Sequence, residues 1–85
     1  MDGIYSYRNV LKKYVTENTL KSGSNIREDT LLFQEGYFDS MGFALLIEFI
    51  ENEFNITTSD EDLVEENFES IKAISKFIEH KKKEI

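Results

Sequence analysis

Phe43, Leu46, Ile47, Ile50 and Phe54 fall at i, i+3, i+4, i+7 and i+11, the spacing that lines side chains along one face of an α-helix. Such a stripe has to be covered by other apolar surface, and two further segments repeat the pattern. Ile4, Tyr7, Leu11, Tyr14 and Val15 mark a first helix from Ile4 to about Glu17. Phe68, Ile71, Ile74, Phe77 and Ile78 mark a last one, with Asn67 as its expected N-cap and Lys81, Lys82 and Lys83 at the end that suits cations. No proline or repeat interrupts the series, and only "FNITT" has the β-branched content of a strand. The expected fold class is therefore all-α: a small four-helix bundle of three main helices and one short one, with a long first loop. At 85 residues the chain has enough surface to bury one core, so residues 1–85 are expected to form a single domain.

The loop runs from Asn18 to about Phe38, opening with the turn-rich "NTLKSGSN". A structureless segment of this length is unusual in a small domain, so Ile26, Leu31 and Leu32 are expected to tuck into the core, with a short helical turn among them. The pair Asp39-Ser40 then opens a helix to about Glu53. Farther on, "TTSDEDLVEEN" places Ser59 three residues before Asp62, a pairing like a capping box, ahead of a short helix of one or two turns.

Composition removes several functions. A formal charge of -7 repels phosphate backbones and anionic lipid, so neither nucleic acid nor a membrane surface is an expected partner, and basic protein surfaces are. The absence of cysteine excludes a disulfide framework and thiolate metal sites. "MDGIYSYRNV" does not read as a signal peptide and no apolar run reaches the ~18 residues of a membrane span, which makes a cytoplasmic monomer the default expectation.

The apolar helix begins "DSM", and the serine can be asked for chemistry. As a hydrolase elbow it fails, since G-x-S-x-G needs Gly where this chain has Phe38, and the single histidine, His80, lies in the polar segment "EHKKKE". "SDEDLVEEN" lacks the glycine and ligand spacing of a calcium loop, and no metal site is expected. Either Asp39 or Ser40 could instead be an N-cap. A cap does not explain why Met41, Ala44, Leu45 and Phe49 are apolar as well, outside the core-facing stripe; some of that surface is expected to be exposed and to bind something.

"GYFDSMGFALLIEFIENEF" resembles the D-S-(L/M) segment of the acyl and peptidyl carrier family, in which the serine carries 4′-phosphopantetheine derived from coenzyme A. "SDEDL" is similar to that family's short third helix and "NFESIKAISKFIE" to its last. The resemblance implies that Ser40 bears the arm and that the arm supplies the thiol this chain lacks, holding an acyl or aminoacyl cargo as a thioester. It also implies that the chain carries and docks rather than catalyses. A phosphopantetheinyl transferase would engage Asp39 and Ser40 with Mg²⁺ of its own. A cargo-loading ligase or acyltransferase and downstream biosynthetic enzymes would meet Met41, Ala44, Leu45, Glu48 and Glu51. Fatty-acid-synthesis carriers read Leu-Asp after the serine where this chain has Met41-Gly42, so the resemblance leans toward discrete carriers of polyketide or nonribosomal peptide pathways. A primary fatty-acid carrier, or a helical adaptor with Ser40 unmodified or phosphorylated, are the alternatives.

Overall fold

The computed structural model describes residues 3–83, with side chains from Tyr7 onward; Ile4 of the first apolar stripe thus lies outside the described side chains. Helices α1 (Gly3–Glu17), α2 (Ser40–Phe54), α3 (Glu65–Phe68) and α4 (Ile71–Lys83) follow in order, with a 3₁₀ turn over Asp60–Asp62. No strand occurs among the described residues. "FNITT" resolves as the end of α2: Asn55 takes the left-handed conformation (φ 57°) that asparagine tolerates, and the Ile56 N–H returns to the Glu51 carbonyl at 3.3 Å. Ile56 is thereby turned into the core.

One hydrophobic cluster joins all four helices and the loop. Leu11 and Val15 come from α1, Leu46, Ile50 and Phe54 from α2, Phe68 from α3, and Ile71, Ile74, Phe77 and Ile78 from α4. The rings of Phe33, Phe43, Phe68 and Phe77 form a row, with consecutive centroids 5.5, 5.5 and 4.9 Å apart. Edge-to-face and tilted contacts of this kind are the favoured aromatic geometries.

The long loop is held by its own turn chemistry. The Glu35 N–H bonds the Leu31 carbonyl at 3.0 Å, giving the expected single helical turn. Gly36 closes it at φ 83°: its N–H bonds Phe33 O and the Tyr37 N–H bonds Leu32 O, the paired bonds of a glycine-terminated turn. Ile26 and Leu32 are buried as expected, whereas Leu31 is only partly so.

Two expectations near the last helix are corrected. Asn67 is not its N-cap and Phe68 does not belong to it; both lie in α3, where Asn67 Nδ2 donates to the Asp62 carbonyl at 2.8 Å. The cap is Ser70, whose Oγ accepts from the Ala73 N–H at 3.1 Å. The reason is tertiary: the Leu32 N–H of the loop bonds the Glu69 carbonyl at 2.8 Å, the acceptor a continuous helix would have offered to Ala73. The loop also supplies the Glu28 carbonyl to the Lys72 N–H at 2.8 Å, so it serves as part of the cap of α4.

Ser59 and Asp62 pair as the sequence suggests, the Ser59 N–H bonding Asp62 Oδ2 at 2.9 Å. Asp62 Oδ2 also takes Lys81 Nζ at 2.9 Å, tying the 3₁₀ turn to the far end of α4. The Lys81 contact, followed by the Ser59 bond, holds the Asp62 carboxyl below its usual range.

Candidate functional site

The first turn of α2 assigns separate tasks to its two polar residues. Asp39 has extended backbone (φ -112°, ψ -166°) and its Oδ1 accepts from the Gly42 N–H at 2.9 Å, while its carbonyl takes the Phe43 N–H at 2.8 Å. Asp39 is therefore the N-cap and Ser40 the first helical residue, which corrects the idea that Ser40 caps. Its hydroxyl is released from that structural task on an exposed residue.

Ser40 stands in the lining of an open cleft of about 380 Å³, formed where the end of the loop, the start of α2 and the 3₁₀–α3 junction meet. Phe33, Phe38, Phe43 and Leu63 make its apolar surface, and Asp39 and Glu65 add carboxylates. Gly42 lets the wall close: a β-carbon there would stand 2.9 Å from Phe38 Cδ1. His80 lies in the last turn of α4 and is absent from this lining. Among the described residues no three carboxylates or imidazoles converge in the manner of a metal site.

Of the expected docking residues, Met41 and Leu45 are 72% and 53% exposed, large values for apolar side chains, and Ala44 and Glu48 are exposed beside them. Spaced at i, i+3, i+4 and i+7, the four share a face of α2. Glu51 is differently employed. Its Oε2 accepts from Thr58 Oγ1 at 2.6 Å and from the Thr58 N–H at 2.9 Å, and these bonds lower its pKa below the usual carboxylate range. Phe49 also leaves the outer set, stacking on Tyr14 of α1 with centroids 4.0 Å apart. Burial there, and secondarily the charge of Glu48, raises the Tyr14 pKa.

Leu63 and Glu65 escaped the sequence reading. A signal was present: Leu63-Val64 is an apolar pair inside an acidic run, and the two side chains are 39% and 43% exposed. A second signal is that from Glu28 to Ile71 the chain carries carboxylates and no lysine, arginine or histidine. The serine, the cleft and the exposed face of α2 thus all lie on the anionic part of the chain, while its cations are confined to α1, the first half of the loop and α4.

A family model described as the phosphopantetheine attachment site matches residues 9–78, which include the second half of α1, the whole of α2 and most of α4. No curated protein matches the chain. The matched family attaches 4′-phosphopantetheine covalently to a serine, and its members work with phosphopantetheinyl transferases and biosynthetic enzymes.

Proposed function

Because the chain belongs to the phosphopantetheine-attachment family, with the carrier role that membership brings, we propose that Ser40 is its attachment point and that residues 1–85 act as one carrier domain. The observation that carries this reading is the division of labour at the start of α2. Asp39 caps the helix, so Ser40 is left exposed at the first helical position and beside an apolar cleft. A phosphodiester at that position meets the unsatisfied N–H groups and positive dipole end of α2, a favourable setting of ~0.3–1 kcal/mol. The fit extends to chemistry: with no cysteine in the chain, the thiol of the arm is the only one, and it supplies the thioester that holds the cargo.

The protein on this reading carries and presents rather than catalyses, and works in the cytoplasm as a monomer. Asp39 and Ser40 are offered to a phosphopantetheinyl transferase. Met41, Ala44, Leu45 and Glu48 meet the transferase, a cargo-loading ligase or acyltransferase, and downstream enzymes through a small apolar centre with an acidic margin. Glu51, one turn on from Glu48, is engaged by Thr58 through two hydrogen bonds. The Met41-Gly42 pair, in place of Leu-Asp, favours a discrete carrier of a polyketide or nonribosomal peptide pathway over one of fatty-acid synthesis.

Incubation with coenzyme A, Mg²⁺ and a broad-specificity transferase, followed by intact-mass measurement, tests the reading. One arm and one reactive thiol per chain are expected, with neither on Ser40→Ala. Full modification of the Ala variant would remove Ser40 from its role.

A further inference from the structure

The lysines of α1 and α4 have no part in the site described above. We infer that these two helices form a second docking surface, for a protein partner with an acidic surface, which holds the chain on a side apart from Ser40 and leaves the exposed face of α2 free.

Charge is divided along the chain. All ten lysines and arginines lie outside the stretch from Glu28 to Ile71, which holds most of the seventeen acidic residues. Folding gathers the cations, because α1 packs against α4. Two bonds fix which edges meet: Arg8 Nη1 donates to Glu28 Oε1 at 2.7 Å, and the Glu28 carbonyl takes the Lys72 N–H at 2.8 Å. Lys12 follows Arg8 one turn on along α1. Lys72, Lys76 and Lys83, at i, i+4 and i+11, run along the side of α4 away from buried Ile71, Ile74 and Ile78, and all four lysines are exposed.

These lysines are not spent within the fold. Arg8 is paired with Glu28 and Lys81 with Asp62, but no ion pair among the described residues engages Lys12, Lys72, Lys76 or Lys83. The helix dipole explains a cation at the end of α4, such as Lys83, and disfavours one in its first turn, where Lys72 stands. A row of unpaired lysines attracts carboxylates over several ångströms, at rates that fall as salt rises. The cleft beside Ser40 takes no residue from either helix, so the two surfaces can be occupied together.

The partner is a protein rather than a polyanion. Half-buried Glu79 stands in the lysine row, at i+7 from Lys72, and the chain as a whole carries a charge of -7. A phosphate backbone or an anionic lipid surface presents negative charge without gaps and would meet Glu79 as well. Protein side chains can set an acid against each lysine and a neutral or basic group against Glu79. A second copy of this chain is disfavoured by the same charge of -7 on both partners.

Titration of the ¹⁵N-labelled full chain with a helical, alanine-rich peptide bearing glutamates along one face tests this. At low salt the amides of Lys12, Lys72, Lys76 and Lys83 are expected to shift while those of Met41 and Leu45 stay in place, and the response should fade as ionic strength rises through ~0.15 M. Lys76→Glu combined with Lys83→Glu should weaken the apparent affinity roughly 3- to 10-fold, the scale of two exposed ion pairs. Glu79→Lys and Glu61→Lys change the net charge equally, yet only the former should tighten binding; circular dichroism checks the fold of each variant. Equal effects of these two would show that net charge alone acts, and would overturn the surface. So would shifts centred on α2, or none at all. Tighter binding of a DNA duplex or of phosphatidylserine vesicles than of the peptide would overturn the protein partner. Amide shifts on α1 and α4 that grow with protein concentration before any peptide is added would assign the surface to a second copy instead. Every readout is taken on unmodified protein, so the outcome stands whether or not Ser40 bears the arm.

Discussion

The Phe38 ring occupies the space into which a side chain on residue 42 would grow: a β-carbon on Gly42 would stand 2.9 Å from Phe38 Cδ1 and 3.4 Å from its Cβ. Glycine in the first turn of α2 is therefore a packing requirement. Its cost in helix propensity, ~1 kcal/mol relative to alanine, is offset by letting a buried ring close the cleft beside Ser40. Gly42→Ala should fail to stabilise the protein. The gain in propensity is cancelled or exceeded by an overpacking cost of ~1–3 kcal/mol, leaving a net loss of about 0–2 kcal/mol. Thermal unfolding decides it; a melting temperature raised by several degrees would show that Phe38 yields freely.

Asp39 and Ser40 should separate cleanly in stability measurements. Asp39→Ala removes the bond to the Gly42 N–H and should cost ~0.5–2 kcal/mol. Ser40→Ala changes an exposed first-turn residue and should fall within ~0.5 kcal/mol of the parent while abolishing attachment of the arm. Denaturant unfolding of both variants alongside intact mass is the measurement, and an equal loss of stability in the two would contradict the assignment of the cap.

Glu48 and Glu51 are one turn apart, yet charge reversal should affect them differently. Glu48 is exposed beside Met41 and Leu45, so Glu48→Lys should raise the apparent KM of a transferase or loading enzyme by roughly 1.5- to 5-fold, an effect that fades as salt rises. Glu51→Lys should instead lower stability by ~1 kcal/mol, near the low end for a charge-assisted pair because solvent screens the site, since it abandons both Thr58 bonds. Kinetics at low and high salt, with unfolding curves for each variant, distinguish the two roles. Kinetics indifferent to Glu48→Lys and to salt would leave recognition to the cleft or the arm.

The two carboxyls with lowered pKa values predict a sensitivity to acid. Their bonds to Thr58, Lys81 and Ser59 favour the ionised forms. The stability they contribute is fully present above the ordinary carboxylate range, ~4, and is lost as pH falls through their lowered folded-state values. Lys81→Met should therefore be less stable than the parent at neutral pH, and the difference should shrink once the medium is acid enough to protonate Asp62. A difference that persists unchanged in acid would mean that Lys81 acts through packing of its stem.

The sequence by itself determined the helices and the polar pair Asp39-Ser40 that opens the second main one. Apolar spacing of three and four is a local property, and a stripe such as Phe43, Leu46, Ile47, Ile50 and Phe54 admits one periodicity, so α1, α2 and α4 were legible within a few residues. Ser59 with Asp62 was equally readable because a capping box closes within four residues. What the tertiary structure decided depended on partners distant in the chain. Asn67 and Ser70 are both acceptable caps. The choice fell to Ser70 because Leu32, far back in the loop, takes the Glu69 carbonyl. Glu48 and Glu51 look alike in sequence, and only the path of the chain after Asn55 brings Thr58 onto one of them. The cleft was hidden for the same reason: Phe33, Ser40 and Leu63 belong to three segments, and no periodicity links residues whose common surface exists only once the loop, α2 and the 3₁₀ turn have packed together.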